Sequence, residues 1–412
     1  MGQELDLSDA WSANGTSMSE YSQITSRLQE ATQFIRIHPD EISFIYGLGE
    51  SRDSYRVRQF SYYSLLHHEE QMRYFVEHPA ASGREYFYPK KDLYLPLAEE
   101  SFHQTGCIIS RKGDKDPIYV TAKAKHSLCR MAGLAGERTA ENTLYMTEEI
   151  CKALGDKKTE ITLVMRAAAD RETGETLHKV FSAVSGKYTP VPASVIESCI
   201  RVLSESGEFG RISVERWHIT HHLNRMHVEF PEMQKVMEGQ GALIPGLELS
   251  TSDTGNSCFI IRQTFRFTDC GEYVTGKEFA LRHSGADIKP RLQVDNLQKV
   301  IRGLLKDWDT IRDTIGLLAQ IPLPAASTAA GREKLFRSVC KELQLTSIIG
   351  VKRKAALIPL IVRQSQTDAF TQYGLVHQVM KLPDMVQLKS TDLSDRLRAA
   401  AGQALLARTV NR

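Results

Sequence analysis

Ser250, Ser252, Asp253, Gly255, Asn256 and Ser257 gather short hydrogen-bonding side chains and a φ-permissive glycine into one stretch. Such a composition predicts a turn whose side chains bind its own backbone. From Cys258 the residues alternate: Phe259, Ile261, Phe265 and Phe267 would share one face of a strand, and Arg262, Thr264 and Arg266 the other. Two chemistries are open to this arrangement. Ser252, Asp253 and Ser257, joined by His283 from the later Arg282-His283-Ser284-Gly285 turn, would form a polar site for a nucleotide or small molecule. Alternatively Arg262, Arg266, Arg282 and Lys187 would place cations on phosphates, helped by exposed backbone N–H groups. The plainer reading is a surface network pairing Arg262, Arg266 and Arg282 with Asp253, Asp269 and Glu278.

A second candidate lies in GREYFYPKKDLYLPL, residues 83–97, where Tyr86 and Tyr88 are interleaved with Lys90 and Lys91. Rings that stack on bases, flanked by cations that neutralise phosphates, are what a single-stranded nucleic-acid surface requires. Tyr188, beside Lys187 in the turn SGKYTPVP, joins this set. An irregular loop that packs its rings inward and leaves its lysines in water has the same pattern. His218, His221, His222, His227 and Glu229 cluster along a hairpin expected over residues 211–230. They lack any fixed metal-ligand spacing, so a polar cluster is expected and no metal is assigned. No phosphate-binding glycine loop, dinucleotide fingerprint or nucleophile elbow is present. Asp253-Thr254-Gly255 matches the aspartic-protease triplet, but a lone triplet cannot supply the two-carboxylate dyad within one chain.

These residues need elements to hold them. At 412 residues, 42% apolar and 25% charged, the chain can bury a large core in one domain or several, and disorder throughout is excluded. The net charge of +2 is too small to hold a polyanion globally, so a nucleic-acid site must be a local patch. Seven scattered cysteines without a C-x-x-C pair predict reduced thiols. No apolar run is long enough for a membrane span and no signal-peptide pattern opens the chain, so a cytoplasmic protein is expected.

Residues 1–35 are expected to form a mobile arm and a short helix, and residues 36–325 an α+β core with a mixed, mainly antiparallel sheet flanked by helices on one side. Strands are expected at ISFIYGLG, SYRVRQF, ITLVMRAA and HKVFSAVS, and one long helix over residues 292–318. PGLELSTSDTGNS reads as a turn preceded by a short helix at Met233–Gly239. Residues 326–412 are expected to be a helical C-terminal region, with Lys352, Arg353 and Lys354 as its tight basic run.

The succession SAVSGKYTPVPASVIESCIRVL, LELSTSDTGNSCFIIRQTFRF, FALRHSGADI and TQYGLVHQVM resembles the DUF932 family of phage- and plasmid-borne proteins over residues 120–405. The family's Cys-x-Asn-Gly element is replaced here by Cys270-Gly271-Glu272. The resemblance implies a mobile-element origin and supplies no active site. Together with the basic alternating strands and the aromatic-basic segment, it leads us to expect a DNA-metabolism protein that binds or anneals single-stranded DNA as a homo-oligomer, without a cofactor. The alternatives are an enzyme at the Ser250–Ser257/His283 site and a structural or assembly protein.

Overall fold

The structure, a computed structural model, describes residues 5–61, 85–112, 116–134, 142–157, 160–170, 173–236, 241–255, 257–268, 271, 273–283, 288–324 and 328–342, with single residues at 359, 371 and 374. The fold is α+β, as the sequence predicts. It contains two sheets where one is expected.

The first sheet consists of β1 (Ser12–Gly15), β10 (Ser213–Thr220), β11 (Asn224–Glu229), β13 (Ala242–Thr251), β14 (Phe259–Phe267) and β15 (Tyr273–Leu281), in that order and antiparallel throughout. A two-residue β12 (Lys235–Val236) pairs with β13. Its apolar face is closed by α1 (Met18–Ala31), α5 (Ser194–Ser206) and α7 (Val294–Leu305), through Tyr21, Ile24, Ile196, Leu203, Leu297 and Ile301. The second sheet runs β2 (Thr32–Ile37), β8 (Ile161–Ala169), β9 (Thr176–Ser185), β7 (Ile118–Val120), β6 (Cys107–Arg111), β3 (Ile42–Glu50), β4 (Ser54–Ser61) and β5 (Glu85–Pro89). Only the β7–β9 pair is parallel among the described strands. Helices α3 (Ala122–Ala132) and α4 (Leu144–Lys157) cover one face, and α2 (Leu95–Thr105) packs into a separate core cluster with Leu7, Tyr119 and Phe181. Helices lie on both faces of this sheet, and accordingly residues 179–184 of β9 and Phe44 and Ile45 of β3 are buried on both sides.

Several expectations are corrected. The N-terminal segment is not a mobile arm from residue 5 onward: Leu7, Trp11 and Ala13 are buried and β1 pairs with β10. Apolar side chains at 7, 11 and 13 outweigh the polar residues between them. The PGLELST segment belongs to strand β13, and of the short helix expected at Met233–Gly239, residues 233–236 instead end a 3-10 turn at Pro231–Met233 and form β12, while 237–239 lie outside the described residues. Pro245 is tolerated mid-strand because β11 ends opposite Gly246 while β12 begins opposite Leu243, leaving a gap in the ladder where no N–H is needed. The expected long helix breaks into α7 and α8 (Trp308–Gln320). The Gln263 amide captures the Leu304 carbonyl at 2.7 Å, and Trp308 stacks on Phe265 and donates to the Met233 carbonyl. From residue 326 onward, α9 (Ala329–Glu342) is described; the basic run Lys352-Arg353-Lys354 and the last expected helix lie outside the described residues.

Gly246 is required by space rather than by φ. A Cβ there would lie 2.5 Å from the Val228 carbonyl oxygen and 2.8 Å from Thr264 Oγ1. Gly246→Ala is expected to destabilise the protein by about 1–3 kcal/mol, because the first neighbour is backbone of the adjoining strand and cannot rotate away. Urea unfolding would measure it; an unchanged midpoint would contradict the packing described. Among the described residues, no helix is long and apolar enough to cross a membrane.

Candidate functional site

Four chain segments meet at a cleft of about 440 Å³. The last turn of α3 brings Arg130, the turn after β9 brings Tyr188, the β13–β14 turn brings Gly255 and Ser257, and the end of β15 brings Arg282 and His283. Gly255 has φ +72°, and a side chain there would press on Val184 Cγ1 at 3.0 Å, so the turn both bends and packs only as glycine.

Tyr188 and His283 form a stacked pair, with rings 9° from parallel and centroids 5.2 Å apart. The Tyr188 hydroxyl lies 3.0 Å from the Ser252 carbonyl, 3.1 Å from that of Asp253 and 3.1 Å from His283 Nδ1. A single O–H satisfies all of this if it donates to the carbonyls and accepts from Nδ1–H, which also faces the Thr189 carbonyl at 3.3 Å. Burial raises the Tyr188 pKa, and the Asp253 charge adds to it. Burial lowers the His283 pKa, against the Thr189 and Ser257 backbone and Asp253. Both rings are thus neutral near pH 7, and the positive charge at the cleft belongs to Arg130 and Arg282. Both arginines are exposed, and neither makes an ion pair among the described residues.

The predicted phosphate contacts divide sharply. Arg282, Lys187 and Tyr188 are at this cleft or beside it, with Lys187 exposed. Arg262 and Arg266 are not free to bind phosphate, which corrects the expected basic face of β14. Arg262 lies 3.2 Å from Glu248 and 3.0 Å from Glu278, and Arg266 holds both oxygens of the buried Glu229. Glu248 of β13 and Glu278 of β15 stand opposite Arg262 in register, and Glu229 of β11 reaches Arg266 diagonally across β13, so both arginines are neutralised. Of the expected surface network, the Arg262–Glu278 pair forms; Asp269 lies outside the described residues. Tyr86, Tyr88 and Lys91 line a different groove, and Lys90 pairs with Glu50 and sits over the Tyr55 ring. The segment holding them is strand β5, a 3-10 turn and the start of α2, not an irregular loop.

Of the polar-turn residues, Ser257 and His283 share the cleft, whereas Ser252 is buried with its hydroxyl on Thr254. Asp253 turns its carboxylate away from His283, into the seam between the sheets. There both of its oxygens lie 2.9 Å from Arg166, a fully buried residue of β8 that also contacts His221 Nδ1 at 2.6 Å and the His221 carbonyl at 2.7 Å. The His221 Nε2–H donates to the Asp6 carbonyl. Lys179 of β9, also fully buried, reaches Asp9 at 2.8 Å, Glu100 at 2.7 Å and the Leu7 carbonyl at 2.9 Å. Phe181 lies between these cations, its ring 4.0 Å from that of His221.

The histidine cluster is dispersed among separate structural roles. His221 and His222 occupy the β10–β11 turn, His227 is buried against Thr264 and Tyr273, and Glu229 serves Arg266. Among the described residues, no group of His, Cys, Asp and Glu is placed to hold a metal ion. Sequence reading missed Arg130, Arg166, Lys179 and Glu100. A signal existed for two of them: a lone charge inside ITLVMRAAA and another inside HKVFSAVS mark strands that can be buried only if those charges are paired.

The geometry defines a two-sheet α+β protein with a positively charged cleft at the ends of β9, β13 and β15. No family model, curated protein or solved structure matches the chain.

Proposed function

We propose that the protein binds single-stranded nucleic acid, holding one phosphate-bearing nucleotide unit in the cleft between Arg130, Tyr188 and Arg282. The observation that carries this reading is the convergence of two exposed guanidinium groups, from α3 and from the end of β15, on one cleft beside the Ser257 hydroxyl. Guanidinium forks suit phosphate oxygens, and Lys187 next to the cleft adds charge for a neighbouring phosphate. The resemblance to the DUF932 family supports a setting in mobile-element DNA metabolism, with the protein working as a homo-oligomer along the strand. Neutralisation of Arg262 and Arg266 narrows the contact from a whole sheet face to this cleft.

A fluorescence-anisotropy titration with a labelled oligonucleotide tests this. Affinity should fall steeply between about 50 and about 200 mM salt, and Arg282→Ala should weaken binding about tenfold while lowering the magnitude of the log–log salt slope by about 0.7. Arg262→Ala should leave binding unchanged. Absence of binding at low salt would remove the reading. Equal competition by a free mononucleotide would favour the second reading, an enzyme or sensor for a nucleotide, which the one-nucleotide size of the cleft also suits.

A further inference from the structure

A second groove, of about 860 Å³, is formed by β5 and the turn after it, the start of β7, and the β8–β9 hairpin. Its walls are aromatic: Tyr86, Phe87, Tyr88, Tyr94 and Tyr119 all face it. Phe87 is 67% exposed, a large apolar ring left in water. Tyr119 is buried and its hydroxyl accepts from the Tyr94 N–H at 2.7 Å, which locks two of these residues together.

The charge in this groove is opposite to that in the cleft. Among the described residues, Asp92, Asp116, Asp170 and Glu175 supply four carboxylates against the ammonium of Lys91. Asp170 is engaged by the N–H and hydroxyl of Thr173. Asp92, Asp116 and Glu175 are exposed and make no ion pair among the described residues. They come from three separate chain segments and line the same groove as the Tyr88 and Tyr119 rings. Burial raises the Tyr88 pKa, with Asp92 and Asp116 adding to it; burial pushes Tyr119 up to about 12, with Asp116 and Glu175 among the further causes.

We propose that this groove is a binding site for a linear organic polycation, an alkylammonium chain of the polyamine type. Aromatic faces attract ammonium groups and their methylene stems, and several separated carboxylates match several ammonium groups along one chain. An anion is disfavoured by the surplus carboxylates. A neutral polyol would leave that charge unused. The volume lies in the range of small-molecule sites. The inference is independent of the nucleic-acid reading, since the two sites share no residue.

Isothermal titration of the full chain with spermidine, in low salt and without nucleic acid, tests the proposal. Saturable binding of about one equivalent is expected, and Asp116→Asn/Glu175→Gln should weaken it about tenfold or more. Both positions are exposed, so the fold should be retained; Glu175→Gln alone provides the same test with one charge removed. Tyr86→Leu should also weaken spermidine binding, because a simple acidic patch would not depend on the ring. Arg282→Ala should bind spermidine like the unaltered protein, which separates this outcome from failure of the nucleic-acid site. No binding, equal binding by the double variant, or displacement by magnesium at equal charge would overturn the proposal, as would tighter binding of a neutral oligosaccharide.

Discussion

Replacing Arg166 by methionine is expected to destabilise the protein by about 3–5 kcal/mol, because a half-buried carboxylate loses its counter-charge. The guanidinium is fully buried, and its partners come from separate places: Asp253 in the β13–β14 turn, His221 in the β10–β11 turn, and Thr32 at the start of β2. Methionine fills much of the volume but donates nothing. Asp253 would then be left with its charge uncompensated, and the His221 carbonyl and Nδ1 would lose their donor. Chemical denaturation should reveal a lower midpoint with an unchanged slope. Adding Asp253→Leu to Arg166→Met should recover a large part of the loss, because much of the cost is the stranded carboxylate rather than the missing attraction. A single-variant loss below about 1 kcal/mol would mean that water reaches the pair and that the seam is not dry. The effect should extend to the cleft, since the Asp253 carbonyl is one of the acceptors that hold the Tyr188 hydroxyl.

Acidification should act on the same seam. Burial, then the Arg166 guanidinium, pushes the His221 pKa down to about 2; burial, then Lys123, pushes His222 down to about 3. Both rings are neutral in the folded state and take up a proton readily only when unfolded. The unfolded chain therefore binds more protons below its ordinary histidine pKa of 6.5, so stability is fully present above that value and declines as pH falls toward 3. Between about pH 7 and about pH 5 the expected loss is about 2 kcal/mol for each ring. Burial lowers His218 and His283 as well, and both act in the same direction. Asp9, whose carboxyl burial raises, works the opposite way and reduces the net slope. Urea unfolding at the two pH values measures the sum, and His222→Gln should remove one ring's share. Equal stability at pH 7 and pH 5 would show that these rings are not held neutral by burial.

The sequence by itself determined the local elements wherever a period was strong. Phe259, Ile261, Phe265 and Phe267 point into the core because alternation leaves a strand no other way to bury four large side chains. Ser194–Ser206 is a helix whose Ile196, Cys199, Ile200 and Leu203 lie on one face, and Gly255 takes the positive φ that the polar turn needs. Alternation also placed Arg262 and Arg266 together on the other face of β14, but not their fate. Only strand register sets Glu248 and Glu278 opposite Arg262, and register is a property of neighbouring strands rather than of one. Local pattern was likewise silent on Pro245, which sits inside β13 because the neighbouring strands leave a gap there. The tertiary structure alone brought Arg130 of α3 to Arg282, more than a hundred residues away, and turned Asp253 toward Arg166 instead of His283. Periodicity reports which face of an element is apolar; charges separated along the chain become a site only when packing chooses which of them are neutralised and which remain facing water.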